Sequence, residues 1–304
     1  MKAPLWFFWP GLLFVAIPVA VRPSPWWIPV WVLVALVLGF WLRKRVVGTA
    51  EYLLSLLILV TMATPLISPY GPADQFPASG GFHLLGLDAL GRDILSRVLY
   101  ANLNSMLVAI AGSTLACGLG LGFGFLMTRK LPFFSALLDG FLQAFLSMPV
   151  IIYYLLGLSL LASGRMSLVL LFALTLWPEN ARMIQAKSEA LRDADFVSAA
   201  RMQGYSEKEI FIRELLPNLA PVMMVNFLVT LINAVLLESI LSYLGLGLAL
   251  GTPSLGHLIE SGAKQLDRNP GILIVSAGLL LAWIVLLRLV LARFGSRQPP
   301  LKIQ

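Results

Sequence analysis

Few residues in this chain could do chemistry, and their spacing argues against catalysis. His83 and His257 are the only histidines. Neither has a neighbouring His or Cys, and no His-Glu-x-x-His is present, so no metal site is expected. Cys117 is the only cysteine and lies inside an apolar run, which rules out an internal disulfide and a cysteine-based zinc site. Gly112, Gly118, Gly120, Gly122 and Gly124 form a Gly-rich stretch. No Gly-Lys-Ser/Thr follows it or occurs elsewhere, so no phosphate-cradling loop is encoded. The chain is expected to need no cofactor and to hydrolyse nothing alone. Two charged clusters remain, at residues 83–93 and 190–217, together with the carboxylate Glu238 near the end of an apolar run.

The second cluster, ALRDADFVSAARMQGYSEKEIFIRELLP, reads as two short helices joined by a tight turn. Leu191, Ala194, Val197 and Ala200 recur at helical spacing, with Arg192, Asp193, Asp195 and Arg201 on the other faces. Gly204 interrupts, as a glycine does just past a helix end. Ser206 and Glu209 then make a capping box, and Tyr205 and Ile210 stand where a hydrophobic staple would join. The second helix passes Phe211 and Leu215 and meets the next apolar run at Leu216-Pro217. Such a unit on the water side of a membrane protein suits a rigid knob for a partner's groove.

The rest of the chain must position these clusters, and composition names its solvent. Of 304 residues, 59% are hydrophobic and 12% charged, with mean hydropathy +0.86. Soluble domains carry about twice that charged share, so lipid is the expected surroundings. The net charge of +7 does not point to nucleic acid. The basic residues flank apolar runs, as the positive-inside rule expects, without interleaved aromatic residues for stacking on bases.

The apolar runs predict an all-α polytopic membrane protein of about eight spans. Leu5 to Val21 and Trp26 to Leu42 form an N-terminal hairpin (residues 1–46). Pro10, Pro18 and the want of a small-residue cleavage site argue against a signal peptide. Further spans are Tyr52 to Ile67, Ser105 to Met127 and Leu137 to Leu161, the last with a kink at Pro149. A helix from Met166 runs past Pro178 to near Lys187, with Glu179 and Arg182 towards its cytoplasmic end and placed to pair. Ala220 to Leu241 and Ile272 to Leu291 complete the set. Residues 43–45, 129–130, 190–217 and the basic tail then share one side, and two Gly- and Pro-rich excursions the other. In the first excursion Asp88 is expected to cap a short helix with Leu90, Ile94 and Val98 on one apolar face. Glu238 reads as an interfacial or helix-facing carboxylate, or as a polar contact lining a pathway.

Three stretches carry a family resemblance. DADFVSAARMQGYSEKEIFIRELLPN resembles the cytoplasmic "EAA" loop of ABC importer permeases, most closely the dipeptide/oligopeptide/nickel type, through Ala199, Ala200, Gly204, Leu216, Pro217 and Asn218. Ser198 stands where the motif usually opens with Glu. HLLGLDALGRD is similar to a second family signature through His83, Gly86, Asp88, Gly91, Arg92 and Asp93, with Leu84 and Leu87 departing from it. The stretch from Ser242 resembles the family's outer loop through Leu244, Gly245, Leu246, Gly247, Pro253 and Gly256, with Leu255 in place of Trp. The usual acidic ending is missing.

The resemblance covers roughly Thr64 to Arg293. It implies a six-helix permease domain at 47–298, with external loops at 68–100 and 242–270 and coupling helices at 190–217. It also implies a bacterial inner-membrane protein with both termini cytoplasmic. Its partners would be a second homologous permease, two ATPase subunits that bind the ATP, and an external solute-binding protein. On that reading Asp195, Ser198, Ala199, Ala200, Gly204, Ser206, Glu209 and Pro217 meet the ATPase. The external loops either contact the binding protein or pack against each other. Peptides are the first expected substrate; nickel or a metal–chelator complex is the alternative. A self-sufficient secondary transporter or channel would want more ionisable residues at mid-membrane. A structural assembly protein would not need a capped knob.

Overall fold

The computed structural model describes residues 49–77, 83–128, 132–161, 163–249 and 251–295. The expected N-terminal hairpin, residues 43–45 and 129–130, and the tail beyond 295 lie outside the described residues. Within them the fold is all-α. Helix α1 (Thr49–Met62) and the single turn α2 (Thr64–Ile67) lead to the first long loop. The long α3 (Ile94–Thr128) follows, then α4 (Pro132–Ser147), α5 (Val150–Leu160) and α6 (Arg165–Ala190). The knob contributes α7 (Asp195–Met202) and α8 (Glu207–Ile210). A π-turn at Phe211–Leu215 connects α8 to α9 (Leu216–Tyr243). Helices α10 (Leu255–Lys264) and α11 (Pro270–Gly295) end the described chain.

Three of these segments are long and apolar enough to cross a membrane: Ile94–Thr128, Glu207–Tyr243 and Pro270–Phe294. The α4–α5 pair makes a fourth if taken as one broken span. The sequence predicts a kink at Pro149. The two halves instead meet at 92°, which is a break. Proline lacks an N–H and pushes the residue before it out of the helical region, so Met148-Pro149 ends one helix and Val150 starts another. Pro178 has the milder effect expected of it, and α6 runs through it.

Small residues at four-residue spacing hold α3 against α6. A Cβ on Gly112 would sit 2.6 Å from Phe172 Cβ, one on Gly120 2.3 Å from Asn180 Cβ, and one on Gly124 2.8 Å from Ile184 Cβ. Ala116, between them, is fully buried. Gly118 and Gly122 meet nothing within 4 Å, so only part of the Gly-rich stretch is an interface. The main core joins α3, α6, α9, α10 and α11 through residues such as Met106, Phe172, Val235, Leu258 and Trp283. At its centre Asn180 bridges three helices. Its amide donates to Leu176 O and Thr230 Oγ1 (2.8 and 3.2 Å), and its Oδ1 accepts from Cys117 Sγ (3.1 Å) and Asn226 Nδ2 (2.5 Å). Elsewhere in the bundle, Trp283 Nε1 donates to Asn102 Oδ1 at 2.7 Å, and Asn102 Nδ2 to Thr61 Oγ1 at 2.6 Å. Buried amides in an apolar bundle need such partners, and Asn180 and Asn102 each tie three helices together.

Candidate functional site

The knob is built as its local sequence dictates, with one shift. Leu191 and Ala194 fall in the turn after α6, and the first helix of the pair is only Asp195–Met202. It closes in a Schellman motif: Tyr205 N–H reaches Ala200 O at 3.1 Å and Gly204 N–H reaches Arg201 O at 3.0 Å. Gly204 takes φ +82°, the left-handed conformation that closure requires. The next helix opens with the complete capping box. Glu209 N–H donates to Ser206 Oγ, and Ser206 N–H to Glu209 Oε2 at 3.0 Å. Those donors from the Ser206 backbone and hydroxyl hold the Glu209 carboxyl below its ordinary value.

Val197, Ala200, Ile210, Phe211 and Leu215 turn inward and share a core with Ile184 of α6 and Leu219 and Met223 of α9. Tyr205 packs on its edge, as a staple would. Phe125 of α3 meets Phe211 with ring centroids 4.5 Å apart. Asp195, Ser198, Gly204 and Ser206 are exposed, Ala199, Glu209 and Pro217 half-buried, and Ala200 buried. Met202, which the motif does not single out, is 85% exposed beside them.

The join to α9 is a π-turn, closed by Leu216 N–H to Phe211 O. Pro217 and Pro221 lack amide hydrogens, so two successive turns of an ordinary α-helix here would each lose a bond. A locally widened turn accommodates this, and the helix continues unbroken to Tyr243.

The signature at residues 83–93 is a polar clasp around the start of α3. Asp88 does not cap a short helix. Its carboxylate accepts from the backbone N–H of Leu90 (2.8 Å) and Arg92 (2.9 Å), from Arg92 Nε (2.9 Å) and from the Arg97 guanidinium. Asp93 caps α3 instead, accepting from Ser96 N–H (2.8 Å) and Oγ (2.7 Å), and pairs with His83 Nδ1 at 2.9 Å. The expected face of Leu90, Ile94 and Val98 is broken, because Leu90 is exposed while Ile94 and Val98 are buried. Burial raises both carboxyls, but donated hydrogen bonds and neighbouring charge outweigh it. For Asp88 these come from the Arg92 and Leu90 amides and from Arg97 and Arg92; for Asp93, from Ser96 and His83. Both end below their ordinary value. Gly86 and Gly91 supply the turns, and a Cβ on Gly91 would reach within 2.7 Å of Phe76 O.

The signature at residues 244–256 also folds back on the bundle. Gly245 closes α9 in a second Schellman motif, with Leu246 N–H on Leu241 O at 2.8 Å and Gly245 N–H on Ser242 O at 3.1 Å. Gly247 and Gly256 let backbone approach α9, since a Cβ on either would lie 2.0 Å from Ser242 Oγ or 2.2 Å from Ser239 O. Pro253 O accepts from Asn104 Nδ2 at 2.8 Å, and Leu255 N–H donates to Ser105 Oγ at 3.1 Å, which docks the loop on α3. Glu238 lies under this loop, fully buried, and accepts from Ser242 Oγ at 2.7 Å. The hydroxyls of Ser105, Ser239 and Ser254 approach the same carboxylate. It is therefore helix-facing, as one of the two sequence readings had it, and not on an open pathway.

Sequence reasoning missed α10, the Asn180 centre and a cavity of about 440 Å³ among α4, α5, α6 and α9. Ser254, the N-cap of α10, accepts from His257 N–H at 3.1 Å. A serine three residues before His257, ahead of an apolar LGHLI, was the available signal for that helix.

This arrangement, a helical bundle with three or four membrane-length segments and a capped knob between α6 and α9, has counterparts among known proteins. The model of the binding-protein-dependent transport system inner membrane component matches residues 120–298. The chain belongs to this family. A putative peptide permease protein of Brucella ovis is 30% identical to it, over 72% of this chain and 74% of the relative. The oligopeptide transport system permease protein OppC of Haemophilus influenzae is 28% identical over 78% of each. OppC of Mycobacterium tuberculosis is 28% identical over 82% of this chain and 88% of its own. Among solved structures, a chain of the MetNI methionine ABC transporter superposes with a TM-score of 0.55 at 18% identity. That match covers 68% of this chain and 98% of the other, and it shows the shared fold. The protein is thus a membrane-embedded ABC importer permease.

Proposed function

We propose that this permease is the pore-forming subunit of a peptide importer in a bacterial inner membrane, with both termini cytoplasmic. It works with a second homologous permease, two ATPase subunits and an external solute-binding protein. Residues 190–217 receive the motion of the ATPases. The permease domain is 47–298, and residues 1–46 form an added hairpin. The observation that carries this reading is the knob's construction: two capped helices share one core with α3, α6 and α9 and continue into α9 without a hinge. A push on that body moves the span as a unit. Its outer face, with Asp195, Ser198 and the protruding Met202, is what a partner's groove would cover. Leu84 and Leu90 are exposed on the first clasp, which supports contacts to the binding protein there, while the signature residues hold the loop's shape. Peptide as substrate rests on the names of the relatives.

The test is Gly204→Val in the assembled importer. A β-branched residue is strongly disfavoured at φ +82°, yet a side chain there meets nothing within 4 Å. The damage is confined to the turn. ATP-driven peptide uptake should fall while the protein still inserts and the ATPases still turn over. Unaltered uptake rejects the coupling role, and uptake independent of ATP rejects the importer.

A further inference from the structure

The cavity among α4, α5, α6 and α9 exists because of the break at Pro149. Turning α5 away from α4 by 92° leaves a recess that neither half fills. Its volume of about 440 Å³ lies in the range of small-molecule sites. Most of its wall is apolar, with Phe145, Met148, Leu176 and Leu237 among the lining residues. Four lining side chains are polar, and two of these are already engaged. Tyr153 Oη donates to Phe145 O at 2.7 Å, with its ring stacked on Phe145, and Thr175 Oγ1 bonds Leu171 O and Tyr154 Oη at 2.6 Å each. The remaining two are Glu179 on α6 and Asn233 on α9.

Glu179 is exposed to this recess. It lies fourteen residues beyond Arg165 and eleven before Ala190, about 21 and 16 Å along the axis from the two ends. A carboxylate facing a recess inside a membrane protein is costly and marks a path for polar cargo. The ion pair expected with Arg182 is not formed among the described residues. No Lys, Arg or His lines the cavity, so a carboxylate-bearing end of a ligand would find no counter-charge there.

We propose that Glu179 receives the N-terminal ammonium of the peptide in transit, with Asn233 opposite and apolar walls around the side chains. This rests on the importer reading above. An ammonium common to every free peptide, held by one carboxylate, lets one site serve many sequences. The apolar lining tolerates variable side chains without reading them.

The test uses the complete importer in proteoliposomes with trialanine, whose N-terminus is its sole ammonium, and Ala-Lys-Ala. Glu179→Gln should lower ATP-driven uptake of both about 10- to 100-fold, the size of a lost charge-assisted hydrogen bond. Glu179→Asp should retain most of it. ATP hydrolysis without peptide should be unchanged. A second variant, Glu179→Cys on a Cys117→Ala background, reads charge within one assembled preparation. Modification by an anionic methanethiosulfonate should leave uptake at least tenfold above modification by a cationic one. Uptake of trialanine within twofold for Glu179→Gln, or equal activity of the two modified forms, overturns the proposal. So does a loss confined to Ala-Lys-Ala, which would assign the site to a side-chain ammonium. A wild-type importer that moves no peptide removes the parent reading and this one with it. Peptide uptake indifferent to charge at 179 removes this one alone.

Discussion

The contact between α3 and α6 makes a sharp prediction, because two glycines two residues apart should respond oppositely to the same change. Gly120→Ala places a methyl 2.3 Å from Asn180 Cβ and 3.0 Å from Ala181 N, whereas ordinary contact begins at 3.4 Å. Helix backbone cannot swing aside as a flexible side chain can, so α3 and α6 must part by about 1 Å at this level. Overpacking of that kind costs about 1–3 kcal/mol. It also displaces Asn180, whose bonds to Thr230 and Asn226 tie α6 to α9; weakening one adds about 1 kcal/mol. Alanine's helix propensity returns up to about 1 kcal/mol. The net is a loss of roughly 1–3 kcal/mol. Gly122→Ala has the same propensity gain and meets nothing within 4 Å, so it should be neutral or slightly stabilising. Thermal unfolding in detergent, followed by the fluorescence of buried Trp177 and Trp283, should show a Tm drop of about 3–10 °C for Gly120→Ala and none for Gly122→Ala. Equal Tm values for the two variants would refute the close helix approach.

Two further outcomes follow from the clasps and the knob. Asp88 and Asp93 both titrate below their ordinary value of 3.8 when folded. The stability they contribute is complete above that value and is lost as pH falls through the lowered ones. Hydrogen exchange at the Leu90, Arg92 and Ser96 amides should therefore accelerate only below about pH 4, after allowing for intrinsic rates, and Asp88→Asn should remove the acid step at Leu90 and Arg92. A clasp already loose at pH 6 would contradict the bonding described. Ser206→Ala removes the cap from the second knob helix and should raise exchange of the Glu209 amide roughly fivefold while leaving that of Phe172, deep in the bundle, unchanged.

Much of this was legible in the sequence, for identifiable reasons. The knob's turn and cap depend on side chains within four residues of one another, so Gly204, Ser206 and Glu209 announce them without tertiary context. The spans were legible because lipid demands long apolar runs. What escaped depended on neighbours distant in the chain. Asp88 was expected to start a helix; Arg97 and Arg92 claim its carboxylate instead, and Asp93 takes the cap beside His83. Glu238 lies near the end of an apolar run and so read as interfacial or helix-facing, and the loop that buries it, returning from residues 247–256, decides for the second. The glycines of α3 look alike in sequence, and only the position of α6 separates Gly120 from Gly122. Pro149 signalled a bend, but its angle depends on what packs on either side.

The widened turn at Phe211–Leu215 sets an azimuth. A π-turn carries one residue more than the α-helix around it, and each residue of a helix advances the facing direction by about 100°. The extra residue fixes the compass bearing of the knob relative to the flank of α9 that enters the bundle. Deleting a residue there would preserve every cap and every apolar side chain yet swing Met202 about a quarter-turn around the shaft. Length changes in the outer excursions can be absorbed as slack; a change at this collar would leave the machine whole but pointing the wrong way.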